Sequence, residues 1–198
     1  VSQRDSGYDR KSRDLYETPA WVTEVFCRHL WYRNYALGRV WEPAAGSGKM
    51  LDHLKKYADG DGACAFGSDI HPLREDIAQV DFLSDGVRMH PCAESVGAIV
   101  TNPPYEHATA FIEKALRLFE GRSVGMVAML LRCDFDHAKS RSHLFRDCPA
   151  FKTKLILTRR IMWFDREPGE KGKSPSFNHA WFIWDINNEK APTLAYGP

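Results

Sequence analysis

The sequence is poor in the features that assign many chains to a class at once. Its cysteines number five (Cys27, Cys64, Cys92, Cys133 and Cys148), widely spaced and with no Cys-x-x-Cys pair. An odd, scattered set argues against a disulfide framework or a structural zinc site and favours reduced thiols. The eight histidines form no His-Glu-x-x-His pattern, so no metal is expected. Long apolar runs are missing too: 124–131 and 96–100 are far too short to cross a bilayer, and residues 1–10 lack the apolar core of a signal peptide. A cytoplasmic protein is therefore expected. Neither charge dominates, with 27 Lys and Arg against 26 Asp and Glu and a formal net charge of +1, which by itself does not announce a nucleic-acid binder. The small basic surplus lies in residues 101–198. Internal repeats, coiled-coil heptads and low-complexity tracts are also lacking.

What is present suits one ordinary domain over 1–198, since 198 residues with 43% hydrophobic side chains can fill a substantial core. Residues 1–15 are polar and read as a loose arm. Trp21, Val22, Val25, Phe26, Leu30 and Trp31 recur at helical spacing behind Pro19, predicting an amphipathic helix over 20–35. Short apolar runs then alternate with helical stretches. Strands are predicted at 39–42, 63–70, 77–83, 96–100 and 124–131, and helical faces after Met50 and over 107–119. A short helix is read near 142–146. Two further strands, 155–164 and 179–186, flank a Gly, Pro and Lys-rich loop at 165–178. Alternation of this kind predicts a largely parallel sheet covered on both faces, and the last two strands, with no helix between them, predict an antiparallel pair.

The first strand runs into Glu42-Pro43-Ala44-Ala45-Gly46-Ser47-Gly48. Small residues at a strand-to-helix junction let a cofactor approach the backbone, and glycine can take dihedrals barred to other residues. Gly48-Lys49 is followed by Met50, so a magnesium-binding hydroxyl is missing and the segment is no phosphate-binding loop; nor is it the three-glycine dinucleotide fingerprint. Asp69 falls about twenty residues beyond, at the end of the second strand, where a carboxylate can accept the ribose hydroxyls of an adenosine-containing ligand. Read alone, the turn is equally a tight connection, and Asp69 or Asp81 a turn residue or helix cap.

The sharpest signal is Asn102-Pro103-Pro104-Tyr105 at the end of the fourth strand. Two successive prolines cannot continue a hydrogen-bond ladder, so the chain leaves the strand abruptly and stiffly. The Pro103 carbonyl and the Asn102 side chain then offer two neutral acceptors, which suits an exocyclic amine or primary amide with two hydrogens to give. Such a nitrogen is a poor nucleophile because its lone pair is delocalised. Acceptors that tighten as positive charge develops would help it attack a methyl carbon, and Tyr105 would stack on the planar target. The alternatives for an isolated tetrapeptide are a rigid exposed turn or a proline-rich docking site.

Together these segments resemble the amino-methyltransferase branch of the class I S-adenosylmethionine enzymes, in particular the DNA adenine-N6 methyltransferases, including phage or prophage types. The resemblance covers 16 to about 132 in cofactor-first order. It implies a catalytic motif at Asn102, Pro103, Pro104 and Tyr105, and S-adenosyl-L-methionine held by Glu42, Pro43, Ala44, Gly46 and Gly48 of the loop. Asp69 would meet the ribose, a task Glu42 could share, and Asp81 the adenine amine, with Ile70 and Phe82 beside them in the cofactor site. Tyr16-Glu17-Thr18-Pro19-Ala20-Trp21 is similar to the segment that closes over the methionine end, with Thr18, beside Pro19, on its carboxylate. The implied fold is α/β, a Rossmann-like three-layer α/β/α sandwich whose seven-stranded, mostly parallel sheet has an antiparallel last strand.

The chain departs from many DNA-modifying members in having room only for short recognition insertions, at 133–142 with Lys139 and Arg141, and at 165–178 with Arg166, Lys171 and Lys173. These basic residues are candidate substrate contacts beside Tyr105, and they would position a backbone more than read a sequence. Arg159-Arg160 is either part of the same surface or a solvated strand edge. Trp163, Phe164, Trp181, Phe182 and Trp184 read as core, and His179 carries no assignment. The expected reaction is methyl transfer to adenine N6 in DNA, by flipping the base if the DNA is double-stranded. RNA adenine N6, a protein glutamine amide, and a catalytically idle binding subunit are the alternatives. Sparse recognition material leaves room for a homodimer or an accessory partner.

Overall fold

A computed structural model describes residues 16–33, 35, 37–58, 64–85, 96–163 and 177–198. The elements in chain order are α1 (Ala20–Trp31), β1 (Arg39–Glu42), α2 (Lys49–Tyr57), β2 (Cys64–Asp69), β3 (Ile77–Gln79), β4 (Val96–Thr101), α3 (Ala108–Leu118), β5 (Met126–Arg132), β6 (Phe151–Leu157), β7 (His179–Asp185) and β8 (Thr193–Gly197). They form one sheet of order β3-β2-β1-β4-β5-β7-β6-β8. β7 runs antiparallel to both neighbours, and every other pairing is parallel.

Alternation along the central strands divides the core in two. Val100, Ala128, Leu130, Trp181 and Ile183 face α1 and α2, packing with Val22, Phe26, Leu51 and Leu54. Ile99, Val127, Met129, Leu131, Phe182 and Trp184 face α3, packing with Phe111, Ile112 and Ala115. The three-layer α/β/α architecture expected from the sequence is thus present. All of β7 is buried, and its indoles satisfy their N–H groups in the flanking layers: Trp181 Nε1 donates to the Val22 carbonyl (3.0 Å) and Trp184 Nε1 to the Leu144 carbonyl (2.7 Å). Truncating either ring to alanine would cost about 3–5 kcal/mol.

Several boundaries differ from the sequence reading. The sheet has an eighth strand, β8, added in parallel to the edge at β6. β6 starts at Phe151 and ends at Leu157, rather than spanning 155–164; past it Ile161 is buried and Trp163 half-buried outside the sheet, while Phe164 lies beyond the described residues. β3 is only three residues long, so Asp81 stands two residues past its end. Val124 is exposed and precedes β5, the helix expected over 107–119 runs Ala108–Leu118 behind a separate 3-10 turn at Tyr105–His107, and the helix read near 142–146 is a 3-10 segment over Lys139–Leu144. No helix among the described residues is long and apolar enough to cross a membrane.

The topology also fixes the place of the chemistry. In parallel strands the carboxyl ends share one edge, and the connections after β1, β2 and β4 gather there. Because β7 is reversed, its first residue, His179, pairs with the last residue of β5, Arg132, and so arrives at the same edge.

Candidate active site

A cavity of about 650 Å³ opens at the carboxyl edge of the sheet, within the usual range for small-molecule sites and where open α/β sheets hold their ligands. Its wall is formed by the loop after β1, the residues following β2 and β3, the Asn-Pro-Pro-Tyr loop after β4, and Tyr16, Glu17 and Thr18 ahead of α1.

The loop after β1 is shaped by two left-handed glycines, Gly46 (φ 50°) and Gly48 (φ 80°). Gly48 immediately precedes α2, and a Cβ there would run into the Arg74 guanidinium. Arg74 is itself held by Asp52 of α2 and by Asp76 (2.8 and 2.7 Å), which ties the loop to the turn before β3. On the β2 side, the Ala45 N–H donates to the Ser68 carbonyl (3.0 Å) and the Gly46 N–H to Asp69 Oδ2 (2.8 Å). The other oxygen, Asp69 Oδ1, accepts the His71 N–H (2.8 Å). Each oxygen thereby spends one acceptor direction on the backbone and keeps one for a ligand.

Glu42, the last residue of β1, is almost fully buried, and its Oε2 has no hydrogen-bond partner. Burial pushes its carboxyl well above the usual glutamate range, with the negative charges of Asp69 and Asp52 adding to the shift and the Leu51 backbone tempering it. An unmet carboxyl oxygen in a cavity wall is a place prepared for a hydroxyl, which can either donate to it or accept from it. Asp81 Oδ1 accepts the Leu83 N–H (2.9 Å), which fixes the turn that puts the Phe82 ring between Trp41 and Phe111 (centroids 5.3 and 4.8 Å). Ile70 and Leu73 expose apolar surface at the rim.

The Asn-Pro-Pro-Tyr loop carries the second buried orphan. Asn102 Nδ2 donates to the Tyr16 carbonyl (3.2 Å), and this bond decides which way the amide faces, leaving Oδ1 buried and without a partner. Pro104 is extended (φ −55°, ψ 123°), and the chain then folds into the 3-10 turn that leads to α3. The Tyr105 hydroxyl lies 3.0 Å from His179 Nε2. Tyr16 stacks beside Tyr105 (6.2 Å, 28° between planes), and Trp163 meets both Tyr16 and His179 edge to face (5.5 and 5.1 Å). Burial lowers His179 to about 4, so its imidazole is neutral at pH 7; the Arg132 charge adds to the shift, while Asp134 and the Phe177 backbone oppose it.

Of the residues singled out from the sequence, Thr18, Glu42, Pro43, Ala44, Gly46, Asp69, Ile70, Asp81, Phe82, Asn102, Pro103, Pro104 and Tyr105 line this one cavity. Pro19 and Gly48 stand just outside it, the first ahead of α1 and the second beneath the loop. Lys139 and Arg141 do not line it: Lys139 is exposed on the 3-10 segment, and Arg141 stacks on Phe135 (4.2 Å) while donating to its carbonyl (2.6 Å). Arg166, Lys171 and Lys173 lie outside the described residues. The sequence reading missed Tyr16 as the anchor of Asn102, the Lys49–Glu17 ion pair across the rim (2.6 Å), and both Trp163 and His179. No motif marks the last two, which reach the site only through the reversed β7 and the chain leading to it.

The architecture is that of the class I S-adenosylmethionine-dependent methyltransferases. No protein-family model matches the sequence, and no curated protein matches it. Among solved structures, the chain is similar to a Listeria monocytogenes protein provisionally assigned to that class (TM-score 0.63, 13% identity, 90% of this chain and 65% of that one). It is also similar to a protein from Vibrio vulnificus, provisionally the modification subunit of a type I restriction enzyme (0.60, 14%, 91% and 46%), and to a dimethyladenosine transferase from Plasmodium falciparum (0.50, 11%, 84% and 61%). The chain spans less than two thirds of the length of each of these structures. A fold of this class implies S-adenosylmethionine as cofactor. The residues present fit it: the glycine-shaped cradle, the remaining acceptor capacity of Asp69 and the unmet Oε2 of Glu42 face one cavity.

Proposed function

We propose that this chain transfers a methyl group from S-adenosylmethionine to an exocyclic amino nitrogen, adenine N6 in DNA being the substrate that suits the site best. The observation that carries the reading is Asn102 Oδ1, a buried acceptor with no partner, turned by the Tyr16 carbonyl and set in the same cavity as the cofactor cradle.

The chain's own part is binding and alignment. Thr18 and the loop from Glu42 to Gly46 would hold the methionine end and the sulfur-bearing chain, Asp69 with Glu42 the ribose, and Asp81, Phe82 and Ile70 the adenine. The bound cofactor supplies an electrophilic methyl group on a sulfonium, which needs no metal or covalent protein intermediate. Asn102 Oδ1 and the Pro103 carbonyl would accept the two hydrogens of the target amine and stabilise the positive charge that grows on its nitrogen. Tyr105 would carry the ring bearing that amine, and the rigidity of the two prolines would keep nitrogen and methyl in line. Tyr16 and Tyr105, which line the cavity, present aromatic surface that suits a flat heterocycle better than an aliphatic amide side chain. Of the fold neighbours above, one is a modification subunit and another a dimethyladenosine transferase.

The test is incubation with methyl-labelled S-adenosylmethionine and separate DNA, RNA and protein pools, with Asn102→Ala in parallel. Label in DNA that the variant abolishes supports the reading. Label confined to RNA or to protein glutamine moves the substrate, and no transfer to any pool despite measured cofactor binding defeats the stand-alone enzyme.

A further inference from the structure

His179 has no part in the mechanism above, yet it is built into the site. It is nearly fully buried at the first position of β7, and its backbone is fixed by pairing with Arg132. Nε2 stands 3.0 Å from the Tyr105 hydroxyl, and the planes of the two rings are nearly parallel, 24° apart with centroids at 6.2 Å. Trp163 closes the imidazole from the side, edge to face at 5.1 Å. Nδ1 is buried and has no hydrogen-bond partner among the described residues. A neutral imidazole carries one N–H. The phenol O–H is a much stronger acid than an imidazole N–H, so the better-matched arrangement has the phenol donating and an unprotonated Nε2 accepting.

We propose that His179 is a positioning residue: its Nε2 accepts the Tyr105 hydroxyl hydrogen and so sets the plane of the aromatic ring on which the target base stacks. Tyr105 opens the 3-10 turn that follows the two prolines, and the direction of its ring is set about two side-chain bonds. A bond from the far end of the ring to a side chain anchored in the sheet removes that freedom before substrate arrives. A phenylalanine at 105 would stack but could not be held in this way.

This inference rests on the reading of Tyr105 as the base platform. Its test combines kinetics on a mixed-sequence duplex free of adenine methylation with spectroscopy that needs no substrate. His179→Leu and Tyr105→Phe should each raise KM for DNA by about two- to tenfold, the effect of one lost hydrogen bond. The affinity for S-adenosylmethionine should stay unchanged in both, and kcat should move less than KM. The double variant should be no worse than either single one, and His179→Gln, whose amide oxygen can accept the same hydrogen, should recover most of the loss. In tyrosine labelled with carbon-13 at Cζ, the Tyr105 resonance, identified by its disappearance in Tyr105→Phe, should shift in His179→Leu. If His179→Leu does not fold, Tyr105→Phe serves instead, and the nitrogen-15 resonance of His179 Nε2 should move on loss of the phenol. Additive losses in the double variant, or a Cζ or Nε2 resonance that stays in place, overturn the proposal. Should the wild-type protein methylate no nucleic acid, the adenine reading falls, while the resonances still decide the role of His179.

Discussion

Asn102→Ala separates catalysis from stability in a way the structure makes quantitative. In the wild-type protein the side chain gives one hydrogen bond, Nδ2 to the Tyr16 carbonyl at 3.2 Å, and leaves Oδ1 buried and unpaired. Losing the bond costs about 1 kcal/mol, and removing an unsatisfied buried oxygen returns about 1–3 kcal/mol. The balance runs from about zero to a gain of about 2 kcal/mol, so the folded protein should not lose stability. For a chain of this size that is a Tm from unchanged to about 4–8 °C higher. If Oδ1 accepts the amine hydrogen as charge develops, its loss should lower kcat by about 10²–10³-fold, as removal of one preorganised transition-state partner does. Affinity for S-adenosylmethionine should change by less than about threefold, under ~0.7 kcal/mol. The assay is a thermal melt, cofactor calorimetry and single-turnover methyl transfer on the same preparation. A variant that melts several degrees lower yet transfers methyl at the wild-type rate would refute the reasoning, because it would make Asn102 a structural tie for Tyr16.

Gly48→Ala should destabilise the protein by about 1–3 kcal/mol, since φ 80° is left-handed and the new Cβ displaces Arg74 from Asp52; a urea melt unchanged from wild type would contradict this. For Glu42→Gln the sign follows from a carboxyl held protonated by burial. The wild-type fold loses stability as pH rises above the ordinary value of 4.5, so the Tm of the cofactor-free variant should gain on wild type as pH is raised from there, and a gap that does not grow would count against it. His179 works in the opposite direction. Its imidazole is lowered from 6.5 to about 4, so its contribution is intact above pH 6.5 and is lost as pH falls toward 4. At pH 5 that amounts to about 2 kcal/mol, and His179→Gln should lose less stability than wild type between pH 7.5 and 5 in parallel melts.

Much of this was legible in the sequence because the informative residues act locally. β4 announces itself as an unbroken apolar strand, and the two prolines end it within a residue of where it stops. The glycine turn and Asp69 fall at strand ends, which is where a parallel sheet gathers its ligand contacts. β8 gives no such signal: Leu194 and Tyr196 are exposed, so the strand is held by backbone pairing to β6 and has no buried face to show as periodicity. The start of β6 is hidden by lysines, because Lys154 sets its ammonium over the Phe182 ring (5.2 Å) and satisfies its charge on Asp136 (2.8 Å), a fact of tertiary structure. Tyr16 and His179 matter to the site through one carbonyl and one ring nitrogen, and residue type alone announces neither. Arg141 is likewise placed by tertiary contacts, its guanidinium over the Phe135 ring and its Nε–H on the Phe135 carbonyl, which residue type alone does not announce.

The central claim is that Asn102 and the cofactor cradle serve one reacting nitrogen. Nucleoside mass spectrometry of DNA treated with the protein and methyl-labelled S-adenosylmethionine tests it most directly. The account predicts labelled N6-methyldeoxyadenosine with wild-type protein and its near-disappearance with Asn102→Ala. Label on a carbon or oxygen atom, or labelled product undiminished in the variant, would contradict it.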